Sequence, residues 1–268
     1  MAAIAEMLEK ANEEGFFDEN AEAKVCQDIV LKALSESSLS RNATIKGGVV
    51  MRSITKDARR ATQDMDIDFI RYSLGDEAIR EFIRKLNCLR GIHIEQIGEI
   101  EELRQQDYHG KRVYVRLFDD NGEEIDSKID LGVHKHLSVE QEEYCFDIAC
   151  FDEGANLLIN SKEQMFTEKL RSLLKFGSNS TRYKDIFDMH YLSGLVDREK
   201  LAECFDILIF SDEGMREKNM DDIRKRVSRS FANRLYVTRL VRSKKNWMNV
   251  PVNTVLDDII KFLDSLND

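Results

Sequence analysis

Apolar positions recur along this chain in two different rhythms. Ile4, Met7, Leu8 and Ala11 fall at helical spacing, and a second helix is expected over residues 22–34. The dipeptide Gly47-Gly48, within residues 41–50, marks a loop or a close backbone approach. Met65, Ile67 and Phe69 alternate with Asp66 and Asp68, as in a strand with one packed face. Ile79, Phe82, Ile83 and Leu86 line one face of a helix over residues 76–89. Strands are expected over 92–97, 113–118 and 144–149. A further alternating segment over 120–134 carries Ile125, Ile129, Leu131 and Val133, with Asn121-Gly122 as its turn. After about Gly154 helical spacing takes over. Phe166, Leu170, Leu173 and Leu174 share a face, and helices are expected over 183–195, 200–210, 222–241 and 254–266. The pattern predicts an α+β protein: a mixed sheet with flanking helices over residues 1–154, then an all-helical domain over 155–268.

Composition narrows the class. The 268 residues carry a formal charge of −10, with 42% hydrophobic and 34% charged residues, which is too apolar for general disorder. Pro251 is the single proline, which suits long helices and excludes a collagen-like or proline-rich chain. No apolar run is long enough for a transmembrane helix, and residues 1–10 do not resemble a signal peptide. Five scattered cysteines without a C-x-x-C pair fit a reduced, cytoplasmic protein rather than a disulfide framework or a zinc site. Charge is unevenly placed. Residues 1–150 hold 20 basic and 31 acidic residues, whereas 151–268 hold 20 and 19. Within 222–245 nine basic residues face Asp222 alone, which marks either a solvated helix surface or an electrostatic contact to nucleic acid.

The chemistry concentrates in Asp64-Met65-Asp66-Ile67-Asp68. Residues two apart in a strand share a face, so Asp64, Asp66 and Asp68 stand in a row. Like charges so placed repel, and hard carboxylate oxygens suit Mg²⁺. A solvent-facing acidic edge that discourages aggregation is the plainer alternative. In Ile125–Leu131 the polar face carries Asp126, Lys128 and Asp130. Were this strand a neighbour of the first, Asp130 would complete a carboxylate set of the kind that two-metal phosphoryl transfer uses.

Two motifs, in order, resemble a known family. Ile45-Lys46-Gly47-Gly48 followed by Arg60-Ala61-Thr62-Gln63-Asp64-Met65-Asp66 looks like the opening motif of the AbiEii/AbiGii nucleotidyltransferase toxins. These are members of the DNA polymerase β-like superfamily and relatives of the MenT toxins. Glu168-Lys169-Leu170 and Arg182-Tyr183-Lys184-Asp185-Ile186-Phe187-Asp188 are similar to the family's later helical motif. The resemblance spans roughly residues 42–195. It implies a polymerase β-like domain at the N-terminus, with Asp64 and Asp66 as Mg²⁺ ligands, to which Asp130 of the second alternating segment would be added for two Mg²⁺ ions. By the same resemblance Gly47, Gly48 and Thr62 lie beside the triphosphate, and Lys169 and Asp185 form a helical pair near the nucleotide. Asp66-Ile67-Asp68 offers a second register, but the Arg-x-Thr-x-Asp lead-in favours Asp64 and Asp66.

The implied activity is transfer of a nucleotide from an NTP to an acceptor hydroxyl, most simply RNA or the tRNA 3′ end. The implied partners are the NTP, that acceptor and a cognate antitoxin, with no membrane. A small-molecule acceptor and a non-catalytic NTP-binding or partner-docking role are the competing readings. Arg182 is a further phosphate candidate. Asp188 is accounted for by pairing with Lys184 on one helix. His134 and His136 read as loop histidines, and Arg59 and Arg60 as screens for the acidic strand. Trp247 and Tyr236 read as core residues.

Overall fold

One mixed sheet organises the first part of the chain, with strand order β3-β4-β5-β2-β1-β7-β6. The strands are β1 (Ala43–Lys46), β2 (Met65–Phe69), β3 (Ile92–Leu103), β4 (Gly110–Asp119), β5 (Glu124–Val133), β6 (Gln141–Phe146) and β7 (Ala155–Asn160). The helices are α1 (Ile4–Glu13), α2 (Glu19–Glu36), α3 (Gly47–Thr55), α4 (Asp76–Lys85), α5 (Lys162–Phe176), α6 (Tyr183–Ser193), α7 (Arg198–Phe205), α8 (Met220–Phe231), α9 (Arg234–Arg242) and α10 (Val252–Ser265). This computed structural model describes residues 3–103 and 110–266. The chain divides into two units, residues 1–160 and 161–268. The first is α+β and the second is helical. Among the described residues no helix is long and apolar enough to cross a membrane.

Several elements depart from the pattern, each for a local reason. Gly47-Gly48 opens α3 directly from β1 instead of forming a loop. Strand β1 was not visible because all four of its residues are buried, so it shows no alternation. Strand β7 reads as part of the helical region because it is short and its alternation, with Asn156 exposed between Ala155 and Leu157, runs directly into the helical pattern of α5. The sheet therefore continues to Asn160. The run over 222–241 is two helices, because Asn233 breaks it and caps α9 by accepting from the Tyr236 N–H. The helix expected over 200–210 is α7 followed by a π-helical turn at Asp206–Phe210.

Helix α2 is the central prop of the first unit. It is buried at Ala21 and at every residue from Lys24 to Leu34, polar ones included, and packs on α1 and on strands β5 and β7. Burial of charge there requires pairing. Asp28, with no exposed surface, binds Lys24 at 2.6 Å and Arg52 of α3 at 3.1 Å. It also accepts from the Ala149 N–H at 3.2 Å. One carboxylate thus ties α2 to α3 and to the chain after β6.

Removing it leaves two buried cations without their shared partner. Asp28→Ala is expected to destabilise the fold by about 3–5 kcal/mol, the usual consequence of breaking a buried pair from one side. Urea unfolding checks this, and a loss below about 1 kcal/mol would show instead that Lys24 and Arg52 find water.

Candidate active site

The acidic strand β2 lies between β1 and β5, and strand register sets the site. Lys46 of β1 stands opposite Asp66, Asp66 opposite Asp130 of β5, and Asp130 opposite Arg112 of β4. Four strands thus carry one row of charges in the order positive, negative, negative, positive. Met65, Ile67 and Phe69 fill the core on the other face of β2.

Each flanking carboxylate has its own cation. Arg112 grips Asp130 with two parallel bonds, Nε to Oδ1 at 2.7 Å and Nη2 to Oδ2 at 2.8 Å. Lys128 meets the exposed Asp64 at 2.9 Å. Lys46 reaches Oδ1 of the buried Asp68 at 2.7 Å. Asp66 differs: burial pushes its carboxyl up to about 6, and Asp130, Asp64 and Asp68 push the same way against the pull of Lys46. Sequence reasoning named every one of these carboxylates but missed Arg112 as a partner, because the β4–β5 register cannot be read from either strand alone.

The glycine pair explains the close approach. Gly47 has φ +65°, and a Cβ there would sit 2.7 Å from Asp66 Oδ2. A Cβ on Gly48 would sit 2.4 Å from Thr62 Oγ1 and 2.7 Å from its Cβ. Asp66 and Thr62 therefore press against backbone that only glycine leaves open. Gln27 of α2 holds this turn by donating to the Thr62 carbonyl at 2.9 Å. Arg59 is engaged with Asp57 in its own turn, and Arg60 is buried. His134 is buried beside Asp68, and that burial lowers its pKa, so it is not an open-loop histidine.

The donor set suits a hard divalent cation. Carboxylates face one another at Asp66 and Asp130, and their mutual repulsion is the load a dication relieves. Among the described residues, however, no three His, Cys, Asp or Glu side chains are grouped closely enough to hold a metal. Both Asp130 oxygens are turned to Arg112, so coordination there requires Arg112 to share or release them.

In the helical unit, Lys169 of α5 lies between two carboxylates of α6, Asp185 Oδ1 at 3.0 Å and Asp188 Oδ2 at 2.9 Å. The pair expected from sequence, Lys169 and Asp185, is in contact. Asp188 is not explained by Lys184 alone: it is fully buried and also accepts from the Trp247 indole N–H at 3.0 Å. Arg182 is largely exposed, 3.9 Å from Asp185 Oδ2. In the basic segment, Arg224 donates to the Leu263 and Leu266 carbonyls and Arg226 to that of Leu174. Arg229, Arg234, Arg242, Lys244 and Lys245 are exposed.

Comparison with known proteins agrees with the motifs. The family model described as nucleotidyl transferase AbiEii toxin, type IV TA system, matches residues 29–245. Among solved structures the chain is similar to the antibiotic-resistance factor ANT(2'')-Ia, with 13% identity and a TM-score of 0.43. The match covers 71% of this chain and 92% of that one. No curated protein matches.

The raised Asp66 pKa has a signed consequence for stability. The folded state holds this proton more tightly than the unfolded chain, so the contribution is complete below about pH 4 and lost as pH rises through about 6. In metal-free buffer at about pH 7, Asp66→Asn is expected to be more stable than the wild type by about 1–3 kcal/mol, the gap closing toward about pH 4. Chemical denaturation at the two pH values measures this, and equal stabilities at both would contradict it.

Proposed function

Because the chain belongs to the AbiEii nucleotidyltransferase toxin family and is a nucleotidyltransferase of the toxin–antitoxin kind, we propose that it transfers NMP from an NTP to a hydroxyl of RNA, most simply a tRNA 3′ end. The observation that carries the reading is the facing pair Asp66 and Asp130, with Asp66 and Thr62 seated directly against the Gly47-Gly48 backbone. Asp64, Asp66 and Asp130 would hold Mg²⁺ once Asp64 turns from Lys128 and Asp130 from Arg112, and the ion would supply orientation of the triphosphate and stabilisation of the leaving oxygen. Gly47, Gly48 and Thr62 would lie beside the phosphates, and Lys169, with Asp185 orienting it, would meet a phosphate oxygen as a point charge. Arg182 is a further phosphate contact. In the reaction the acceptor oxygen bonds to the α-phosphorus, the bond from that phosphorus to the bridging oxygen breaks, pyrophosphate leaves, and the hydroxyl proton passes to solvent.

The exposed Arg229, Arg234, Arg242, Lys244 and Lys245 support a polyanionic acceptor over a small one, since a groove or face that tracks phosphates needs such charges. Arg224 and Arg226 are instead bound to the carbonyls of Leu263, Leu266 and Leu174. The family's toxin–antitoxin description supports a cognate antitoxin, and an RNA acceptor would place the activity in the cytoplasm.

Purified protein incubated with labelled NTPs, Mg²⁺ and total RNA is expected to label RNA, and Asp66→Ala to lose at least about 100-fold of that rate, the scale of a lost charge-stabilising group. Arg229→Gln with Arg234→Gln and Arg242→Gln is expected to weaken RNA use about 10-fold, more at high salt. Label transfer to a small molecule with this triple variant unaffected would replace RNA by a small acceptor. Tight NTP binding without transfer to any acceptor would defeat the enzymatic reading.

A further inference from the structure

Asp188 is buried deeper than the nucleotide assignment of Lys169 and Asp185 requires. Its side chain has no exposed surface, yet both oxygens are used: Oδ2 by the Lys169 ammonium and Oδ1 by the Trp247 indole N–H. Trp247 is the chain's single tryptophan, is itself buried, and packs on Tyr191 of α6 with ring centroids 5.7 Å apart. It lies beyond the family match, which ends at residue 245.

We propose that Asp188 and Trp247 form a brace that positions Lys169. The clause that this lysine then meets nucleotide phosphate rests on the function proposed above. A carboxylate held at one oxygen alone turns about its terminal torsion, which is broad. The indole bond removes that freedom, so Oδ2 presents a fixed anchor to the ammonium. Two carboxylates around one lysine overbalance its charge. Donation from Trp247 draws on one of them and lowers the pull of Asp188 on the ammonium, leaving Lys169 able to answer a phosphate. Asp185, nearer the surface, is the partner that a phosphate would displace. Asp188 and Trp247 are positioning residues: they act on the nucleotide only through Lys169.

The experiment compares the wild type with Asp188→Asn, Trp247→Phe and Lys169→Met. Without nucleotide, trace labelling with acetic anhydride followed by mass spectrometry reads the reactivity of Lys169, with the exposed Lys225 as internal reference. Asp188→Asn is expected to raise Lys169 labelling at least about threefold, because an ammonium that loses one carboxylate deprotonates more readily. Trp247→Phe keeps an aromatic ring beside Tyr191 and loses the donor with part of the indole. It is expected to raise KM for the NTP about fivefold with kcat within about twofold, a split that general loosening of the fold does not produce. Lys169 labelling unchanged in Asp188→Asn, or an unchanged KM in Trp247→Phe where Lys169→Met raises it, overturns the brace. NTP that fails to slow Lys169 labelling in the wild type removes the nucleotide role of Lys169 instead. The Asp188→Asn labelling then still decides the brace by itself.

Discussion

Like charges on neighbouring strands are the constraint around which the first unit is built. Asp66 and Asp130 face each other across a parallel pair, where side chains on one face are close neighbours. Such a pair is unfavourable by itself, and the sheet order supplies the remedy. Strand β1 brings Lys46 to one flank, β4 brings Arg112 to the other, and β5 brings Lys128 to Asp64. Any other order of these four strands would separate carboxylates from their cations. What is left over is concentrated on Asp66, whose carboxyl is pushed up to about 6. Storing unfavourable charge in this way lowers the stability of the fold.

The helical unit solves a related problem with opposite signs. One lysine sits between two carboxylates, and one of these is anchored by an indole from far along the chain. Asp185 and Asp188 are three residues apart on α6, yet their burial separates their work: the first is partly open and the second fully enclosed. Membership of the AbiEii family accounts for why both motifs occur in one chain.

Much of the fold was legible where one face of an element is apolar and the other polar. Strands β2 and β5 announced themselves by alternation, and α4 and α5 by helical spacing. Elements buried on both faces were silent. Strand β1 carries no period, the alternation of β7 is too short to stand apart from the helices that follow, and the start of α3 at Gly47 is hidden by a dipeptide that ordinarily signals a loop. The split between α8 and α9 was written in Asn233, a capping residue easily absorbed into a long polar run.

The sequence by itself determined the inventory of charge and its local faces. Asp64, Asp66 and Asp68 share a face because a strand has a period of two, and Lys169 borders an apolar stripe because a helix has a period near four. Pairing was decided only in three dimensions. That Arg112 holds Asp130, that Gly48 yields to Thr62, and that Trp247 holds Asp188 depend on register and packing between segments distant in the chain. A hydrogen bond or ion pair needs two groups within about 3 Å. Local periodicity orients a side chain but sets no distance to a partner many residues away.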